Sequence, residues 1–213
     1  MENKIFSKIY GWMFIGLLVS FITGYYVSTN TNMLYNIFST SLYWIIPIIE
    51  IVVVIWLSAG IRKMNIITAR TLFILYSLLT GLTLSIIFIA FKLDSIITVL
   101  GITSAMFAIM SLVGRYTSMD LTKIRTVLFM GLIGILLATI VNIFIGSTTF
   151  DLLIAIVGVI IFTLYIAYDT QKIKYAVETL EEDKAAIICA FELYLDFINL
   201  FIKLLRLFGK SRD

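Results

Sequence analysis

The chain has 213 residues, 61% of them hydrophobic and 14% charged, with a mean hydropathy of +1.07 and a formal net charge of +3. Soluble domains average roughly 45–50% apolar and about 25% charged, and a 24.2 kDa chain encloses no core able to take up that excess in water. Absence of histidine and a single cysteine, Cys189, exclude an internal disulfide and a Cys/His zinc site, and remove the usual general base of serine and cysteine hydrolases.

Apolar runs near the ~20 residues that cross a bilayer occur seven times. They are Ile9–Ser28, Ser41–Ala59, Ile67–Phe91, Ser95–Gly114, Ile124–Ile145, Leu152–Ile173 and Ala185–Phe208. The first follows Lys4 and Lys8 as a signal peptide would, but it is long, ends in Gly24-Tyr25-Tyr26 and lacks a small-residue cleavage site, so a retained helix is expected. No hydrophilic block is long enough for a second domain. The expectation is one all-α integral membrane domain over 1–213, with seven transmembrane helices and no enzymatic or nucleic-acid-binding role.

The connections alternate in charge. Thr29–Thr40 carries none and the link between helices five and six only Asp151. Arg62, Lys63 and Arg70, then Arg115, Lys123 and Arg125, then Lys172, Lys174 and Lys184 fill the even connections. The positive-inside rule puts those connections and the N-terminus in the cytoplasm. Seven spans then put Lys210 and Arg212 outside, against the rule, so the last helix either spans regardless or is short and re-entrant; a full span is expected. Small residues recur four apart in Gly16, Ser20 and Gly24, in Ser77, Gly81 and Ser85, and in Gly134, Ala138 and Asn142. Such stripes let helices approach closely in lipid. Pro47, the only proline, lies three residues before Glu50 inside helix two and predicts a kink there.

The last helix is the informative one. Glu192, Asp196, Asn199, Lys203 and Arg206 follow one another at steps of four, three, four and three, which places them on one face of a helix. A single charged face between apolar flanks turns toward a bundle interior or a water-filled cavity. Its acids lie toward the N-terminus and its bases toward the C-terminus, as the helix dipole favours. Lys203 and Arg206 could instead extend to the far interface. Asp196 lies ~16 Å past the helix start, near the middle of the hydrocarbon. Asp169 sits near the end of helix six, which a short acidic loop joins to helix seven, so the two aspartates could face each other. Glu50 is a third intramembrane acid.

These residues also carry a pattern. Tyr194-Leu195-Asp196-Phe197-Ile198-Asn199-Leu200-Phe201 followed by Leu204-Leu205-Arg206 resembles the closing helix of the transmembrane Bax-inhibitor-motif family. Tyr168-Asp169-Thr170-Gln171 resembles its helix-six motif. Gly114, Thr117 and Asp120-Leu121-Thr122 are similar to its loop after helix four, Asn142-Ile143-Phe144 to its helix five, and Thr80-Gly81-Leu82-Thr83-Leu84-Ser85 to its helix three. The resemblance implies six helices around a central seventh and a calcium leak controlled by pH. It makes Asp169 and Asp196 the proton sensor, and Arg62 the candidate for an arginine that engages the pair in one state, one residue off the family spacing from Glu50. Glu50, Asn199, Glu192 and Arg206 are kept as further possible partners of the pair, and Asp169 and Asp196 as transient calcium ligands.

Two charges ~3 Å apart repel by about 5.5 kcal/mol at an effective dielectric near 20, enough for one proton to be shared at neutral pH and for the pair to titrate as a unit. Losing that proton would bias the two helices toward another arrangement, and with Asn199 nearby the carboxylates offer the hard oxygen ligands calcium prefers. Calcium would be the permeant ion, with no cofactor. The partners expected are the lipid bilayer, calcium ions and protons, in a bacterial plasma membrane. Three alternatives stand beside this reading. A proton-coupled cation transporter would use the same acids. An intramembrane aspartic protease requires Gly-x-Gly-Asp where this chain has Leu193-Tyr194-Leu195-Asp196, and a Pro-Ala-Leu motif that the sole proline cannot supply. A regulatory membrane protein would act through partners.

Overall fold

The computed structural model describes residues 2–212, and the side chains of all of these except residues 2, 43 and 44. The described chain is helical almost throughout. In order it forms α1 (Glu2–Thr29), α2 (Thr31–Phe38), α3 (Leu42–Gly60), α4 (Ile66–Ala90), α5 (Leu93–Tyr116), α6 (Arg125–Ile145), α7 (Thr148–Thr179) and α8 (Glu182–Phe208), with a 3-10 turn at Leu121–Ile124 ahead of α6. Among the described residues six helices are long and apolar enough to cross a membrane: α1, α4, α5, α6 with its preceding turn, α7 and α8. The described apolar stretch of α3, Ile45–Gly60, is shorter. The protein is thus an all-helical membrane protein with six long apolar spans, where seven runs were expected.

Most helices begin and end within a few residues of the expected runs, because lipid-compatible length is written directly in composition; α1 starts seven residues earlier than expected and α7 ends six residues later. One element was not expected. The uncharged connection Thr29–Thr40 contains α2, whose N-terminus is capped by Asn30: its Oδ1 accepts from the Met33 N–H at 3.1 Å. Eight residues are too few to register as an apolar run.

The chain divides into two compact units, Met1–Lys92 with Tyr175–Tyr194 and Ser211–Asp213, and Leu93–Lys174 with Leu195–Lys210. In the first unit the two small-residue stripes meet. A Cβ on Gly81 would stand 2.5 Å from Thr23 Cβ and 2.8 Å from the Ser20 carbonyl oxygen, and one on Gly24 would stand 3.0 Å from the Gly81 carbonyl oxygen. Ser20 Oγ lies 2.7 Å from the Ser77 carbonyl oxygen. Close approach and a buried interhelical hydrogen bond are the two attractions that survive in lipid.

The second unit has its own tight crossing. A Cβ on Gly114 of α5 would stand 2.1 Å from the carbonyl oxygen of Ala167 on α7. The third stripe behaves otherwise: Gly134 is exposed and faces open space, and Gly131 instead takes the Ile161 side chain. Asn142 of that stripe has a different task. Its carbonyl oxygen accepts from the Gly146 N–H at 2.8 Å and its Oδ1 from the Ser147 N–H at 3.1 Å. Gly146, at φ +66°, adopts the left-handed conformation that ends α6 at no steric cost.

Contacts at the two ends of α8 settle its course. In the first unit Asp183, in its opening turn, binds Lys8 at 2.6 Å and Arg70 at 3.0 Å, and Glu182 binds Lys8 at 2.9 Å. Arg70 stands in the second turn of α4. Beyond the far end of α8, the Arg212 N–H donates to the carbonyl of Ala90, the last residue of α4, at 2.9 Å. A helix of 27 residues measures ~40 Å. It starts beside the start of α4, and the segment after it finishes beside the end of α4. By length and composition α8 can cross a membrane.

Replacing glycine by alanine in a helix ordinarily stabilises it by roughly 0.5–1 kcal/mol, and at exposed Gly134 this sign is expected. At Gly114 the added methyl meets a backbone carbonyl, and overpacking of this kind costs typically 1–3 kcal/mol. Thermal unfolding of Gly114→Ala and Gly134→Ala in detergent should therefore move the midpoint in opposite directions; equal shifts would contradict the crossing described.

Candidate functional site

The buried side chains Ile166, Ala167, Tyr168, Asp169, Thr170 and Gln171 form an unbroken stretch of α7. Three contacts within the second unit hold this stretch. Gly114 admits the Ala167 backbone. Thr170 Oγ1 lies 3.4 Å from Ser111 Oγ of α5, at the limit of a hydrogen bond. Gln171 spans the link between α5 and α6, its Oε1 accepting from the Leu121 N–H and its Nε2 donating to the Met119 carbonyl, each at 2.8 Å. Backbone groups in such a connection need partners, and here one buried carboxamide serves as both donor and acceptor. The Asp120 side chain supports the same link by accepting from the Thr122 N–H at 3.0 Å and from its hydroxyl at 2.6 Å.

Asp169 is 8% exposed and Asp196 6%, both in the second unit. Asp196 follows the point where α8 enters that unit and precedes Phe197, whose ring meets Phe107 of α5 edge-on at 5.6 Å. Tyr165 stands one turn before Asp169 on α7, its ring centroid 6.4 Å from that of Tyr168. Lys172 Nζ lies 3.8 Å from Asp169 Oδ1. Asp169 thus stands beside an ammonium, and Asp196 is a second buried carboxyl group of the same unit.

The remaining polar residues of α8 take separate places. Asn199 Nδ2 donates to the Leu195 carbonyl of its own helix at 2.8 Å. Arg206 is hydrogen-bonded through Nη1 to Asp151 Oδ2, so its charge is engaged near the start of α7. The Lys203 stem lies against Gly158 of α7. Glu192, half-buried, belongs to the first unit. Glu50 of α3 and Arg62 also belong to the first unit, Arg62 exposed in the turn after α3 and Glu50 with its Oε1 3.4 Å from Thr83 Oγ1. Tyr194, fully buried in the first unit, places its hydroxyl 2.6 Å from Ser20 Oγ.

No group of three or more His, Cys, Asp or Glu side chains able to hold a metal ion occurs among the described residues. Hydrogen bonds from Thr122, with Lys123 adding to them, hold the exposed Asp120 carboxyl below its ordinary value. A group lowered in this way supports the fold above the unfolded-state value and loses that support as pH falls through the folded one. Its effect is confined to acid solution.

Gln171, Gly114 and Gly158 were not expected to position the site. The only sequence signal for Gln171 is a carboxamide beside an intramembrane acid, which does not say what it grips. Gln171→Leu keeps the bulk but leaves the Leu121 N–H and the Met119 carbonyl of this part-buried link without their partner, a loss of about 0.5–1.5 kcal/mol for each hydrogen bond. Amide hydrogen exchange at residues 119–122 should accelerate at least tenfold; an unchanged rate would show that the link holds without the carboxamide.

Residues 2–213 match the family model described as inhibitor of apoptosis-promoting Bax1. The inner membrane protein YbhL of Escherichia coli (strain K12) is 41% identical over 213 residues, covering 97% of this chain and 91% of that protein. An uncharacterized protein of Borreliella burgdorferi is 42% identical, covering 100% of this chain and 94% of that protein. An uncharacterized membrane protein of Streptococcus pyogenes serotype M1 is 36% identical, covering 98% of this chain and 93% of that protein. With matches of this extent and a helical architecture of long apolar spans, the chain belongs to the Bax inhibitor family, as a multi-pass protein of the bacterial inner membrane.

Proposed function

We propose that this protein is a pH-sensitive calcium leak, in which Asp169 and Asp196 share a proton between α7 and α8. The observation that carries the reading is their shared environment: two carboxyl groups, each under a tenth exposed, lie in one compact unit on α7 and α8, helices that touch where the Lys203 stem crosses Gly158. Intramembrane acids are costly, at least ~2.5–3.5 kcal/mol each on insertion scales when charged, and mark ion or proton paths when they persist. Protonation of the pair removes that cost and ties α7 to α8. Deprotonation adds repulsion and leaves two hard oxygen ligands for a passing divalent cation.

In this reading α3 makes the seventh crossing and the other helices surround α8. The unequal burial of the spans supports it: 78% of the apolar window of α8 is buried, against 11% for α6. The basic even connections put the N-terminus in the cytoplasm.

Calcium entry into proteoliposomes between pH 6 and 8 tests the sensor. Wild-type protein should change its rate several-fold across that interval, whereas Asp169→Asn and Asp196→Asn should each flatten the profile. Retention of the wild-type pH dependence by both variants would refute the shared-proton assignment. Dependence of calcium movement on an imposed proton gradient would instead indicate coupled exchange.

A further inference from the structure

We propose that Lys203 is an electrostatic barrier that limits the passage of divalent cations along the α7–α8 face beyond Asp196. The inference rests on the leak reading and assigns to that path a residue that sets its rate.

Lys203 lies seven residues after Asp196, two turns of α8 further on and within about 20° of the same face, at an axial separation of ~10 Å. Its stem does not lie over its own helix alone. A Cβ on Gly158 would stand 2.8 Å from Lys203 Cγ and 3.0 Å from both Cδ and Cε, so the missing side chain of that glycine is what lets three methylenes cross the backbone of α7. The residue is half-buried. Its ammonium lies within electrostatic range of Arg206 and Asp151. Asp151 is already bound by Arg206, so these three side chains together carry a net charge of +1 at neutral pH.

A lysine that merely extended to the interface would serve equally well if its stem ran through lipid. Here a neighbouring helix supplies a glycine where the stem lies, which holds the charge against α7 on the side of the carboxylates. A calcium ion leaving Asp196 toward the Phe208 end of α8 approaches a fixed positive charge. An ion that passes within ~10 Å of that charge has its local occupancy lowered about fourfold even at the dielectric of water, and a lower dielectric makes the effect larger.

The test is calcium entry into proteoliposomes at one fixed pH, for wild type, Lys203→Arg, Lys203→Met and Lys203→Glu, with unfolding midpoints confirming that each variant is folded. Methionine matches the length of the lysine stem without its charge. Arg should stay within about twofold of wild type, Met should run at least about fourfold faster, and Glu faster again. The ratio of Met to wild type should fall toward one as salt is raised, because the Debye length shrinks from about 30 Å at 0.01 M to 3 Å at 1 M; a steric plug would be indifferent to salt. Equal rates for Arg and Met, or a ratio that salt does not move, would overturn the barrier. If wild type leaks with its pH dependence intact and Met matches it, the barrier fails alone. If wild type passes no calcium above empty liposomes, the leak reading fails and the barrier with it.

Discussion

A carboxyl group carried into hydrocarbon must be sheltered, protonated or paired, and much of the arrangement around α8 answers that requirement. The helix holds Asp196 near its middle, nearly half way from Phe208 back to Glu182. Its apolar window is buried to 78%. Shelter of this kind requires neighbouring backbones to come close, which in lipid depends on small residues more than on hydrophobic contact. Gly114 satisfies that need in the second unit, and the Gly16–Gly24 and Ser77–Ser85 stripes do so in the first.

The four residues Tyr168-Asp169-Thr170-Gln171 show how a carboxylate is held at a defined depth. Gln171 grips the link before α6 from two sides, Thr170 lies against Ser111, and the Ala167 backbone rests on Gly114. Asp169 sits within this triply fixed stretch, so its carboxyl group has little freedom to withdraw when its protonation changes. Movement must then be taken up by the partner helix or by the link that Gln171 binds. Asp120, also in that link, does not duplicate the proposed sensor. Its carboxyl is held below the ordinary range by Thr122, and it stays charged across the neutral interval.

Much of this was legible in the sequence, for identifiable reasons. Span positions follow from apolar length, and the polar face of α8 follows from steps of three and four; both are local patterns. Asp196, on that face, is buried. Other features were hidden because they depend on what lies opposite a residue. Gly134 belongs to a stripe of the same spacing as Gly16–Gly24, yet it faces open space, since a stripe declares availability and not a partner. Asn142 was read with that stripe, while its structural role is to close the turn into α7. Short α2 escaped because eight residues with no charge give neither a span nor an amphipathic signal long enough to separate from a loop. The ion pair of Arg206 with Asp151 joins residues 55 apart in sequence, and no periodicity announces it.

The ion pairs at the two ends of α8 bear on how a change in protonation could act. Acids of its first turn meet Lys8 and Arg70 in the first unit, and Arg206 in its last turn meets Asp151 in the second. Exposed pairs of this kind contribute roughly 0–1 kcal/mol each, too little to account for stability but enough to favour one axial register over a slide by a turn, which would break all of them together. Repulsion between two carboxylates at hydrogen-bond distance is several-fold larger than any one such pair. A change at Asp169 and Asp196 would therefore work against ends that resist sliding. On the shared-proton reading, the motion left to α8 is a lateral shift near its middle, since rotation about its axis would carry Asp183 and Arg206 away from their partners.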